Sequence, residues 1–88
     1  MKLYFIHCGF YDQEVVGGIY EFHINIPVLA ADVAEAKKKV KLLPLYSAKK
    51  MHVDGIQEIE SVEGYRLNFV KEGSASETCI HAIQYQDL

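Results

Sequence analysis

Glu21-x-His23 and His52-x-Asp54 are the two places in this chain where a carboxylate and an imidazole stand two residues apart. In an extended strand, residues i and i+2 share a face. Each pair therefore presents an acid and a histidine together, and if the two faces coincide the four groups form one cluster. Neighbouring carboxylates move histidine titration within the physiological range, so such a cluster can transfer protons or bind a small polar molecule. Tyr65 and Arg66 are candidate positioning groups beside it. The competing reading, and the preferred expectation, is a set of cross-strand ion pairs that solubilise an open sheet face.

His7, His23, His52, His81, Cys8 and Cys79 are also the residue types that ligate zinc and iron. No C-x-x-C, H-x-x-x-H or H-E-x-x-H spacing occurs, and ligands would have to converge from separate strands. The expectation is no metal and no cofactor. A catalytic Cys8 needs a helix N-terminus or a fixed cation to stabilise its thiolate. The sequence supplies neither, so Cys8 reads as a buried structural thiol.

Residues 1–50 carry seven basic and five acidic groups, and residues 51–88 carry two basic and seven acidic. Lys37, Lys38, Lys39, Lys41, Lys49 and Lys50 concentrate the positive charge in one stretch. Phosphate contacts depend on such charge. Tyr46 is the one stacking residue interleaved with it, so a solvated helix face is expected and nucleic-acid binding is not.

Eighty-eight residues, half of them hydrophobic, suffice for one folded core and not for two. Two cysteines do not make a disulfide scaffold. The apolar N-terminal run is too short for a signal sequence or a membrane span, so no membrane role and a cytoplasmic location are expected.

The elements that must position the paired acids and histidines follow from periodicity. Lys2–Cys8 is apolar on both parities, as in a central strand. Gly9–Gly18 suits a mobile connection. Ile19–Ile26 alternates, with Tyr20, Phe22, Ile24 and Ile26 on one face and Glu21, His23 and Asn25 on the other; Pro27 should end its pairing. Asp32-Val33-Ala34-Glu35 has the form of a capping box. It opens a helix whose stripe is Val33, Ala36, Val40 and Leu43, and Pro44 stops it. Met51–Val62 predicts a third strand with a bulge or bend at Gly55, because Val53, Ile56 and Ile59 do not keep one parity. Glu63-Gly64 turns the chain into a fourth strand, Tyr65–Val70.

The predicted fold is α+β: a single, mainly antiparallel sheet, β-β-α-β-β with an optional last strand, in the order 2-1-3-4. One helix covers one face, against Tyr20, Phe22, Ile24 and Ile26. Residues 1–70 form the core domain and 71–77 a polar loop. Residues 78–88 form a strand or tail, in the same domain or at a dimer contact.

Several of these pieces resemble a small bacterial family, domain of unknown function 1543. They are the strand ending in Cys8-Gly9, Glu21-Phe22-His23, the helix start at Asp32–Ala36, His52-Val53-Asp54 and Val62-Glu63-Gly64-Tyr65. The resemblance spans residues 1 to about 70 and is most specific in the last two pieces. It implies one copy of a unit that the family uses once or twice, and with it a homodimer; it implies no activity.

The first functional expectation is a non-catalytic binding or assembly module that self-associates. The second is a small enzyme or polar-ligand-binding domain using Glu21, His23, His52 and Asp54, with no catalytic residue assigned. The third is weak nucleic-acid binding through the helix lysines.

Overall fold

Ten consecutive residues, Lys2–Tyr11, make the central strand β1 of the computed structural model, which describes residues 1–87. Tyr4, Ile6 and Cys8 point to one side and are buried; Leu3, Phe5 and His7 point to the other and are half-buried. β2 (Glu21–Ala30) and β3 (His52–Ile59) pair antiparallel with β1 on either side, giving the order β2-β1-β3. The sheet is the α+β arrangement expected, with strand one in the middle.

β2 begins later and ends later than its alternation suggested, and it runs through Pro27, which pairs with Phe5. The reason is topological. β2 has a neighbour on one side only, and an edge strand tolerates a proline whose nitrogen faces away from its partner. Tyr20 consequently falls outside the strand and is exposed.

The helix α1 (Val33–Lys41) starts where the capping residue requires: the Asp32 carboxylate accepts the Glu35 N–H at 2.8 Å. Glu35 does not complete a capping box; its side chain pairs forward with Lys39 at 3.3 Å. Lys39 Nζ also donates to the Leu29 carbonyl at 2.7 Å, which ties the helix to the edge strand. Pro44 ends α1 but also opens a second short helix, α2 (Pro44–Ala48), because a proline at the first helical position loses no hydrogen bond.

The core comprises Tyr4, Ile6, Cys8, Val28, Ala30, Ala36, Val40 and Met51. α1 thus packs over the Val28–Ala30 end of β2 rather than over Tyr20 and Phe22. Ala36 and Val40 are buried, while Val33 and Leu43, the ends of the predicted stripe, are largely exposed. Phe22 instead stacks on Phe10, with ring centres 5.8 Å apart. Burial, with the Asp54 charge added, pushes the Cys8 thiol above its usual range.

The β1–β3 register shifts between His7 and Cys8: Cys8 pairs with Val53 and His7 with Gly55, which leaves Asp54 as the extra residue. This is the bulge expected near Gly55, one position earlier. It lets Val53 and Ile56 both pack against the core despite their odd spacing.

One expectation fails toward the C-terminus. The hairpin forms as a separate two-stranded sheet, β4 (Ser61–Val62) with β5 (Tyr65–Arg66), rather than as a fourth strand of the main sheet. Of the two alternatives for residues 78–88, Thr78–Tyr85 takes the tail: no helix or strand occurs between Leu67 and Gln84. Ile80, Ile83 and Tyr85 are exposed. The predicted tail extends to Leu88, which lies outside the described residues.

Ile6, fully buried under α1, and Leu42, 78% exposed just past its end, give opposite expectations. Ile6→Ala should lower the unfolding free energy by roughly 2–5 kcal/mol, and Leu42→Ala should change it by about 0.5 kcal/mol or less. Urea unfolding midpoints measure both.

Candidate functional site

The centre of the site is a residue without a side chain. Gly9 of β1 pairs with His23 on one side and with His52 on the other, so both imidazoles stand on its face of the sheet. Glu21 lies two residues before His23 and Asp54 two residues after His52, and strand alternation puts all four on this same face, away from the core. The cluster foreseen from the two short patterns therefore assembles across three strands.

The geometry is close. His23 Nε2 lies 3.0 Å from Glu21 Oε1 and 2.9 Å from Asp54 Oδ2. His52 Nε2 lies 3.1 Å from Glu21 Oε1 and 3.1 Å from Asp54 Oδ1. Each imidazole thus touches both carboxylates. The side chains are between 32% and 47% exposed, so the cluster is open to solvent while standing on a buried backbone at Gly9.

A Cβ at position 9 would stand 2.5 Å from Glu21 Oε1 and 2.6 Å from both Asp54 Oδ2 and His52 Nε2. A side chain there would displace these three groups. Gly9 was expected to begin the loop; β1 in fact continues to Tyr11. The signal available in the sequence was a glycine next to a strand pattern, which marks a close approach as often as a turn.

Three further residues of the open face brace the cluster. The Tyr11 hydroxyl donates to Glu21 Oε2 at 3.2 Å, leaving Oε1 to face the histidines. That hydrogen bond, with the carboxylate charge, raises the Tyr11 phenol above its usual range. His7 stacks on His23, ring centres 4.9 Å apart and planes 3° from parallel. His7 Nδ1 is in turn 2.7 Å from Asn25 Oδ1, which places the proton on that nitrogen.

Tyr65 and Arg66 do not join the cluster. They sit on the hairpin beyond Ile59, which pairs with Leu3, six residues along β1 from Gly9. At about 3.4 Å per residue that is on the order of 20 Å away. Cys8 is buried on the opposite face. Of the six clustered lysines, Lys39 and Lys49 are engaged, the latter 3.7 Å from Asp12. A cavity of about 940 Å³ lies away from the cluster, along the free edge of β2 between Leu43, Phe69 and Ile80.

No family model, curated protein or solved structure matches the chain.

Gly9→Ala isolates the role of the central gap, because the three atoms it would meet are all ends of movable side chains. The variant should fold, at a cost below the roughly 1–3 kcal/mol of overpacking a closed core, while the four groups separate. A near-parental unfolding midpoint with large shifts of the His23 and His52 ring resonances is the expected result. Unshifted ring resonances would show that the groups do not meet over Gly9.

Proposed function

We propose that this protein is a non-catalytic binding domain that holds a small cationic ligand between Glu21, His23, His52 and Asp54. The observation that carries this reading is the convergence of two carboxylates and two imidazole nitrogens at 2.9–3.1 Å on an open face, above a residue that has no side chain to fill the space. Two carboxylates facing one gap favour a positively charged occupant. A catalytic role is less well supported. Cys8 faces the core with its thiol pushed up, which is the opposite of an activated nucleophile.

The test follows His23 and His52 ring resonances as guanidinium, methylammonium, Mg2+, Ca2+ and Zn2+ are added separately. At least one should shift both rings saturably, and Glu21→Gln with Asp54→Asn should abolish the response. If none shifts them, or if the double variant responds like the parent, the reading is wrong.

Self-association is a second reading, supported by the unpaired outer edge of β2 and the cavity alongside it. Exposed Ile80 and Ile83 on the tail offer the apolar surface that a second copy would cover. Sedimentation should then show a dimer that weakens when residues 71–88 are removed. A monomer across the micromolar to millimolar range would reject it.

A further inference from the structure

We infer that the cationic ligand is a single divalent first-row transition-metal ion, bound by His23 Nε2, His52 Nε2, one oxygen of Glu21 and one of Asp54. This rests on the cation-binding reading above and narrows it.

The first argument is a proton count. Each Nε2 carries at most one hydrogen whatever the charge of its ring. The cluster has four N···O contacts of hydrogen-bond length, two to each imidazole. Two protons cannot make four well-aligned hydrogen bonds. One ion among them engages lone pairs of both nitrogens and of both carboxylates, Asp54 offering Oδ2 beside His23 and Oδ1 beside His52.

The second argument is distance. With bonds of about 2.0–2.1 Å, adjacent ligand atoms are about 3.3 Å apart around a tetrahedral ion and about 2.9 Å apart around a square-planar one. The observed separations run from 2.9 to 3.1 Å. Glu21, His52 and Asp54 each bring one ligand atom within 4.8 Å of the others, and the half-exposed His23, already 3.0 Å from Glu21 and 2.9 Å from Asp54, swings inward to complete the set.

The third argument is space, and it comes from the backbone rather than from the ligands. The point where a Gly9 Cβ would stand is 2.5–2.6 Å from three of the four ligand atoms. Glycine keeps a volume of atomic size clear in the centre of the donor set.

The fourth is ligand chemistry. Imidazole suits zinc, iron, copper and nickel, whereas calcium takes six to eight oxygens and magnesium an octahedron of oxygens with several waters. Two nitrogens in a set of four favour the transition series. The surrounding contacts have the form of an outer shell: Tyr11 holds the second Glu21 oxygen, and the His7–Asn25 pair supports the His23 ring by stacking.

Isothermal titration of the chelator-treated full chain with Zn2+, Mn2+, Ca2+ and Mg2+, and visible absorption on adding Co2+, test the inference. One equivalent of Zn2+ should bind, on the order of 100-fold tighter than Ca2+ or Mg2+, and Co2+ should develop d–d bands of a nitrogen-containing site. His23→Ala, His52→Ala and Gly9→Ala should each weaken Zn2+ on the order of 100-fold or more with the fold kept by circular dichroism. Gly9→Ala does so while leaving all four ligands in the chain. Cys79→Ser should change nothing; it removes the thiol that lies 3.4 Å from His81 on the tail, the other soft pair present. Zn2+ binding that survives the histidine variants, or that depends on Cys79, overturns the assignment. Guanidinium, methylammonium, Ca2+ or Mg2+ shifting the rings while Zn2+ and Co2+ do not bind would overturn the metal and leave the cation-binding reading standing.

Discussion

Neighbouring strands of a sheet run about 4.8 Å apart, so β2 and β3, with β1 between them, are separated by about 10 Å. Side chains on the two outer strands ordinarily cannot touch, because the side chain of the middle strand stands between them. Gly9 removes that obstacle at one rung, and His23 and His52, which flank it in the register, reach over it to the same pair of carboxylates. Gly9 is not among the glycines with positive φ, so it is required there for room rather than for backbone freedom. A glycine inside a strand costs about 0.5–1 kcal/mol relative to alanine, and here what it yields is a gap between four polar groups.

The same rung joins the site to the core. Cys8, next to Gly9, is fully buried on the opposite face, and its partner Val53 packs on the core between the two site residues His52 and Asp54. The bulge at Asp54 is what makes this possible. Without the extra residue, strict alternation would put Ile56 on the open face with His52 and Asp54. With it, Val53 and Ile56 both face inward, and the two site residues keep a common outward direction. The packing that stabilises β3 therefore also sets the aim of His52 and Asp54.

How much of this was readable in the chain differs from element to element, for physical reasons. The two-residue spacing of Glu21 with His23 and of His52 with Asp54 shows the pairs directly, because strand periodicity is local. The parity conflict among Val53, Ile56 and Ile59 reveals the bulge in the same way. Asp32 marks the start of α1 because its carboxylate meets the orphan N–H groups whatever lies elsewhere. The role of Gly9 is not local: it depends on which strands flank β1, and glycine at a strand end looks the same whether it turns the chain or clears a space. Pro27 misleads for a related reason, since its effect on pairing depends on β2 being an edge strand. Met51, buried between α2 and β3, carries no periodic signal. The tail beyond Leu67 has strand-forming residues, but propensity alone does not make a strand.

The cluster gains little stability from its own contacts. Half-exposed ion pairs contribute about 0–1 kcal/mol each, and fixing a glutamate rotamer alone costs up to about 1.5–2 kcal/mol. Mutual attraction is therefore too weak to explain why four such side chains share one point. What holds them is the backbone on which they stand, three strands whose reverse side is pinned by Ile6, Cys8, Val28 and Val40. A cluster arranged by the core rather than by its own bonds is preorganised for the proposed ligand, which would meet groups already converged and need not supply the free energy of gathering them. The open face is thus where the rigidity created on the buried face becomes available for binding.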